Sequence, residues 1–397
     1  MLSFDSGDYL ELLSSLLRCD SSNPPGRTAE TACVAADYLG FQLKDGVLKP
    51  GEGYLPGISA RLLPLDGERP QLLFSLKGRH RSSPLAFTGH MDVVPADSDS
   101  AAPWDSLPFS PSLREGRLYA RGSCDMKGGL AAALMAFRRI AEETERGELP
   151  EEDISLILTS DEEGEMRGSE ALLKEPEISR IGRLVVCEPT ELGLCSAGRG
   201  RIYGSMTLHG RSGHGSKGTA ENLISLAARL VLRMEVEDFP KTEDGSSFWQ
   251  FLAIHAKKDP CVLPDRLELS WDARLMPDHP TADIVRRLDA LLKEPEWEGC
   301  HIEYAVTDRR EGWRMPSESP FRRGILTALN ELRLPVKESS FPGTTDGSKL
   351  RLAGMEVAII GPGSLEQAHR PNEFLEVEEG LKAASLYHQL MKKGAYA

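Results

Sequence analysis

Five short stretches collect the histidines and carboxylates that could do chemistry. His90 and Asp92 stand two residues apart, directly after the apolar run Leu85-Ala86-Phe87-Thr88. Asp125 opens a helical stretch that runs from about Lys127. Glu162 and Glu163 follow the run Ile154 to Thr159, and Glu188 follows Leu184 to Cys187. His369 lies in a Gly/Pro loop beyond Val357 to Ile360. The runs have the length and composition of buried strands. The polar residues therefore fall at carboxyl ends of strands, where open α/β sheets bind their ligands. Two histidines with three or more carboxylates suit Zn²⁺ or a similar transition ion. They do not suit calcium, which takes all-oxygen shells. Asp125 is the candidate bridge between two ions. A pair about 3.5–4 Å apart would polarise an amide carbonyl and activate water at neutral pH. Singly, each stretch has a bland reading: a capping pair for H-x-D, a solvated charge run for Asp-Glu-Glu, a loop residue for Glu188, a helix-entry cap for His369. Their joint occurrence in this order points to a dinuclear site.

Something must hold these residues together. Residues 8–45 read as helical with Gly and Pro interruptions, and beyond them short apolar runs alternate with helical stretches. The helix from about Lys127 to Glu143 carries Leu130, Leu134, Phe137 and Ala141 on one face. Such alternation predicts an α/β fold: a catalytic α/β/α domain around a mostly parallel sheet. The middle of the chain differs. Strand-like runs at 201–209, 248–256, 266–275 and 301–307 enclose helical stretches at 221–235 and 281–293. The order βαββαβ predicts an inserted ferredoxin-like α+β domain. The catalytic domain is assigned to 1–196 and 309–397, the insert to 197–308.

A chain of 397 residues exceeds one ordinary core, in keeping with two domains. Its formal charge of −14 argues against nucleic-acid or anionic-membrane partners. No apolar run approaches the ~20 residues that span a bilayer. The start, MLSFDSGDYLELLSSLL, carries acids where a signal peptide has Lys or Arg. The seven cysteines are scattered and form no C-x-x-C pair, as expected of free thiols in a reducing cytoplasm.

The stretches T-G-H-M-D-V-V-P (88–95), R-G-S-C-D-M-K-G-G (121–129), S-D-E-E-G (160–164), C-E-P-T (187–190) and G-P-G-S-L-E-Q-A-H (361–369) stand in this order. Together they closely resemble the family of acetylornithine deacetylase, succinyl-diaminopimelate desuccinylase, aminoacylase and carboxypeptidase G. The resemblance covers nearly the whole chain. It implies a two-metal amidohydrolase acting on a small N-acyl amino acid, with a dipeptidase or carboxypeptidase as the alternative on the same site. The ions would be zinc, with cobalt or manganese as alternatives. Asp125 would bridge them, His90 and Glu188 completing one set of ligands, Glu163 and His369 the other. Glu162 would be the general base and acid. Asp92 would accept the free ring N–H of His90, and the Asp125–Met126 peptide would be cis.

The insert adds its own matches. G-R-S-G-H (210–214) resembles the acetylornithine deacetylase stretch, which implies that His214 reaches across a homodimer and stabilises the oxyanion. D-A-R (272–274) and G-T-T-D-G (343–347) resemble the desuccinylase, implying substrate contacts from Arg274, Gly343 and Thr344. Arg274 can also be read as an ordinary exposed strand residue. Two departures touch the substrate side. The stretch after His214 is one residue shorter than the family's and lacks its Pro, and Cys261 stands where the family has Asn. Two other classes fit less well. A catalytically dead binding protein would lack a ligand or the base, and none is missing. A cysteine hydrolase built on Cys124 or Cys187 has no histidine placed by sequence to activate either thiol.

Overall fold

The computed structural model describes residues 4–96, 103–217, 222–236, 239, 241–242, 245–256, 261–298 and 300–394. The chain divides into two compact units. The larger comprises Met1–Ser196, Met315–Ser339 and Thr345–Ala397; the smaller comprises Ala197–Arg314 and Ser340–Thr344. The return of Ser340–Thr344 to the smaller unit moves Gly343 and Thr344 out of the region assigned to them from sequence.

In the larger unit the sheet order is Leu194–Gly198, Glu356–Ile359, Arg183–Val186, His80–His90, Glu152–Thr159, Leu72–Leu76 and Ser59–Leu62. The four strands from Glu356–Ile359 to Glu152–Thr159 run parallel, and Leu72–Leu76 and Ser59–Leu62 continue antiparallel. The parallel strands are almost continuously apolar because both faces are covered. Gly129, near the start of the helix Gly128–Glu145, sits where a Cβ would lie 2.1 Å from the Cys187 carbonyl oxygen, so only glycine permits that approach. Gly347, in the short helix Asp346–Leu350, packs on Val186. Val186 and Cys187 are adjacent and point to opposite sides, so these two helices cover opposite faces.

The stripe expected on the helix after Lys127 is an understatement. Every residue from Gly128 to Phe137 is buried, because Ser6–Arg18 and Val377–Lys393 pack against the side away from the sheet. The N-terminal stretch read as one interrupted helical region is two helices, Ser6–Arg18 and Ala29–Tyr38, followed by the hairpin Phe41–Lys44 and Val47–Pro50.

Among the described residues the main sheet of the smaller unit has four antiparallel strands in the order Phe248–Ala256, Arg266–Leu275, Gly200–His209 and His301–Arg310. With the helices Leu223–Glu235 and Thr281–Leu291 this is the ferredoxin-like βαββαβ arrangement. The helices bury one sheet face, where Ile202, Met206, Leu208, Leu269 and Trp271 form the core with Leu230 and Leu288. Alternation along Gly200–His209 turns Arg201, Tyr203, Ser205, Thr207 and His209 to the opposite face. Residues 218–221 of the shortened stretch after His214 lie outside the described residues.

Candidate metal centre

His90 is the last residue of the strand His80–His90, Glu162 and Glu163 leave the end of Glu152–Thr159, and Glu188 leaves Arg183–Val186. The parallel arrangement brings these ends together. Asp125 does not open the long helix. It lies in a π-type turn, Ser123–Lys127, that precedes Gly128–Glu145, and its φ/ψ of −118°/98° is non-helical. The Asp125–Met126 peptide is cis. His369 stands in the loop after Glu356–Ile359 with a left-handed φ of 63°.

These residues converge around Asp125. Its Oδ1 lies 3.3 Å from His90 Nε2, and its Oδ2 lies 3.2 Å from His369 Nε2. His369 Nε2 is also 3.2 Å from Glu163 Oε1, while His90 Nε2 is 3.8 Å from Glu188 Oε1. One carboxylate thus turns one oxygen to each histidine. Two ligand atoms about 2.0–2.1 Å from a tetrahedral Zn²⁺ lie about 3.3–3.4 Å from each other. Three of the four spacings are close to that value and the fourth, His90 to Glu188, is wider at 3.8 Å, so the residues present fit a pair of divalent ions with Asp125 between them.

Charge supports the same reading. Asp125, Glu162 and Glu188 are each less than 9% exposed, and with Glu163 they form a group of four acids around two histidines. Burial and the neighbouring carboxylates push Glu162, Glu163 and Glu188 above the usual carboxylate range. Burial disfavours a charged His90, yet the carboxylates of Asp125, Glu188 and Glu162 hold it well above its ordinary value. Hydrogen bonds to Asp125 and Glu163 raise His369 to about 10. Burial opposes ionisation of Asp125 as well, but His369 and His90 draw it below the usual range. A site of this charge gathers cations, and two divalent ions would neutralise its four carboxylates.

The supporting groups revise one expectation. His90 Nδ1 meets the backbone carbonyl of Asp92 at 2.9 Å, whereas the Asp92 carboxylate is 3.9 Å away. That carboxylate instead accepts from the backbone N–H groups of Glu162 (3.2 Å) and Glu163 (3.0 Å) and from Asn23 Nδ2 (2.9 Å). A carboxylate facing two successive amides anchors them better than it anchors a ring already bonded elsewhere. Asp92 therefore holds the turn that carries both glutamates. Asp161, in that turn with φ 69°, is clamped by Arg167 Nε at 2.8 Å.

Several such residues escaped the sequence reading. Glu373, buried, accepts from the backbone N–H groups of Cys124 (2.9 Å) and Asp125 (3.0 Å) and pairs with Arg121 at 2.7 Å. Asp346 accepts from the hydroxyls of Thr159 and Ser169. Buried Lys127 donates to the carbonyls of Leu16 and Cys19, 2.9 Å each. None of these follows a strand in the way the ligand candidates do, so spacing carried no signal for them. Burial raises the Cys124 thiol and pushes Cys187 up to about 12, away from the thiolate that a nucleophile needs.

The residues that the resemblance assigns to the substrate are in the smaller unit. Arg274 donates through Nε to Asp272 at 2.8 Å, and Thr344 accepts from Arg310 Nη1 at 2.9 Å. Gly343 is its neighbour in the segment Ser340–Thr344. His214 is exposed, with Nδ1 2.8 Å from Ser216 Oγ. Cys261 is exposed and has φ 63°.

Fold and site together define a metal-dependent hydrolase of amide bonds. The chain belongs to the peptidase family M20/M25/M40, whose model matches residues 86–393. It is 27% identical over 363 residues to succinyl-diaminopimelate desuccinylase of Thioalkalivibrio sulfidiphilus, covering 85% of this chain and 92% of that one. A Staphylococcus aureus tripeptidase has the same fold, with a TM-score of 0.77 at 17% identity over 98% of this chain and 99% of that one. Human carnosine dipeptidase 1 matches with a TM-score of 0.75 at 18% identity over 99% and 97% of the two chains. Among the described residues no helix is long and apolar enough to cross a membrane.

Proposed function

We propose that this enzyme hydrolyses the amide bond of a small N-acyl amino acid, with two zinc ions held by His90, Asp125, Glu163, Glu188 and His369. The observation that carries the proposal is the Asp125 carboxylate, with one oxygen turned to His90 and the other to His369. Two divalent ions bound here would polarise the scissile carbonyl and lower the pKa of water; cobalt or manganese would serve the same geometry.

The chain's own residues do the rest. Glu162 takes a proton from the attacking water and returns it to the departing nitrogen. Its burial among carboxylates raises its proton affinity, as a group that must hold and return a proton requires. Asp92 keeps Glu162 and Glu163 in register by gripping both of their amides. Arg274 is assigned to the substrate carboxylate, with Gly343 and Thr344 as further contacts. The enzyme works as a homodimer in which the partner subunit's His214 stabilises the oxyanion; the exposure of His214 supports this. Seven free cysteines support a cytoplasmic location. Dipeptide hydrolysis is the second reading, supported by the fold shared with a dipeptidase and a tripeptidase.

The test is a panel of N-acetyl-, N-succinyl- and N-formyl-amino acids and dipeptides, offered to protein reconstituted with Zn²⁺ or Co²⁺. Release of the amino acid from an N-acyl substrate, abolished by chelator and restored by metal, is expected. Turnover of dipeptides alone moves the assignment to the second reading. Reconstituted protein should hold two ions in the ligand set, and saturation at one would end the dinuclear reading.

A further inference from the structure

A second group of metal-ligating side chains lies in the smaller unit and plays no part in the chemistry above. His209 ends the strand Gly200–His209, and His301 begins the edge strand His301–Arg310 directly opposite it. Glu303 is two residues beyond His301, opposite Thr207. The period of two puts all three side chains on the sheet face that the helices leave uncovered.

The three are poised on one another. The imidazole rings of His209 and His301 stack at 4.5 Å between centroids with planes 25° apart. Glu303 reaches both: Oε1 is 3.0 Å from His301 Nε2, and Oε2 is 3.6 Å from His209 Nε2. One donor atom from each residue falls within 4.8 Å of the other two. Ligands of a tetrahedral Zn²⁺ stand about 3.3–3.4 Å apart. Both nitrogen–carboxylate spacings bracket that value. The stacked rings point their in-plane lone pairs side by side, so one ring must turn for both nitrogens to reach one ion, and His301, exposed on an edge strand, has the room to do it.

A second observation asks for a ligand here. His209 Nε2 is shielded from solvent and makes no hydrogen bond among the described residues. Such an atom costs stability unless something satisfies it. Glu303 does not, because at 3.6 Å it is beyond hydrogen-bond reach. A single cation shared by both nitrogens and the carboxylate satisfies all three groups. Imidazole nitrogen with one carboxylate selects Zn²⁺ or a neighbouring transition ion over magnesium or calcium.

We propose that His209, His301 and Glu303 form an accessory zinc site that clips the edge strand His301–Arg310 to its neighbour. Three protein ligands leave one position for water or an outside donor. The inference is independent of the catalytic assignment.

The experiment compares zinc content at equal free Zn²⁺, by equilibrium dialysis and elemental analysis of the full chain. The proteins are wild type, His301→Ala, His209→Thr and Glu303→Gln, each checked for folding by circular dichroism. Wild type should hold one more equivalent than either histidine variant, whatever number the Asp125 centre takes. Glu303→Gln should weaken that extra equivalent by more than about tenfold, since loss of even an outer partner costs about 10–100-fold. Cu²⁺ substituted into the same site should add nitrogen hyperfine coupling to that of the Asp125 centre, and His301→Ala should reduce the addition. Equal zinc content in wild type and both folded histidine variants would overturn the proposal. A variant that fails to fold is replaced by the Cu²⁺ spectrum of wild type, where absence of coupling beyond that of the Asp125 centre has the same force.

Discussion

Replacing Asp92 separates two roles that its position beside His90 confuses. Its carboxylate, fully buried, accepts three hydrogen bonds: from Glu162 N at 3.2 Å, Glu163 N at 3.0 Å and Asn23 Nδ2 at 2.9 Å. A hydrogen bond to a charged acceptor contributes about 1.5–3 kcal/mol net. Asp92→Asn keeps one oxygen, which can serve the Glu163 and Asn23 donors, and turns an NH₂ group toward the Glu162 amide. One charged bond is lost outright and the rest become neutral, so a destabilisation of about 2–4 kcal/mol is expected. That is a large share of a typical 5–15 kcal/mol. The turn carrying both glutamates should loosen, and a shift of about 1 Å at the general base costs about 10²-fold in kcat. The bond from His90 Nδ1 goes to the Asp92 backbone carbonyl and survives the substitution. Metal affinity on the Glu163 side should therefore fall further than on the His90 side. Denaturant unfolding, kcat and stepwise metal titration read the three quantities. If Asp92→Asn unfolds within about 0.5 kcal/mol of wild type with unchanged kcat, the anchoring role is wrong. If the loss falls wholly on the His90-side ion, Asp92 acts through His90 after all.

Glu162→Gln should keep its metal ions and lose about 10²–10⁴-fold in kcat, or about 2.7–5.5 kcal/mol of transition-state stabilisation; Glu163→Gln should lose metal instead, and the reverse pattern would exchange their roles. Mixing His214→Ala chains with Glu162→Gln chains should restore activity through heterodimers that hold one complete site. Silence after verified subunit exchange, or full activity of His214→Ala alone, rules out the cross-subunit histidine. Glu373→Ala strands buried Arg121 and two backbone amides, so unfolding should come about 3–5 kcal/mol sooner. Glu373→Gln should recover part of that loss, and a cost below about 1 kcal/mol for the alanine variant would deny the buried pair its role in holding the Asp125 turn.

The sequence alone carried much of this molecule. Buried parallel strands announce themselves as short apolar runs because both faces are covered, and their carboxyl ends are where the next polar residues fall. His90, Glu162, Glu163, Glu188 and His369 could thus be nominated from local pattern. The βαββαβ order of the insert was legible from a different pattern: its strands alternate because only one face is buried. What tertiary structure decided is which atoms meet. The two oxygens of Asp125 divide between His90 and His369, residues 35 positions before it and 244 after, and no local period encodes such a division. Asp92 grips the amides of Glu162 and Glu163, while its own carbonyl takes the histidine beside it. Glu373 and Arg121 meet beneath the Asp125 turn from 252 positions apart. His209 and His301 become one cluster only because two strands pair in a register that sets them face to face. Periodicity reports what a residue's own strand or helix buries; the partner of a buried charge comes from elsewhere in the chain, and only packing brings it there.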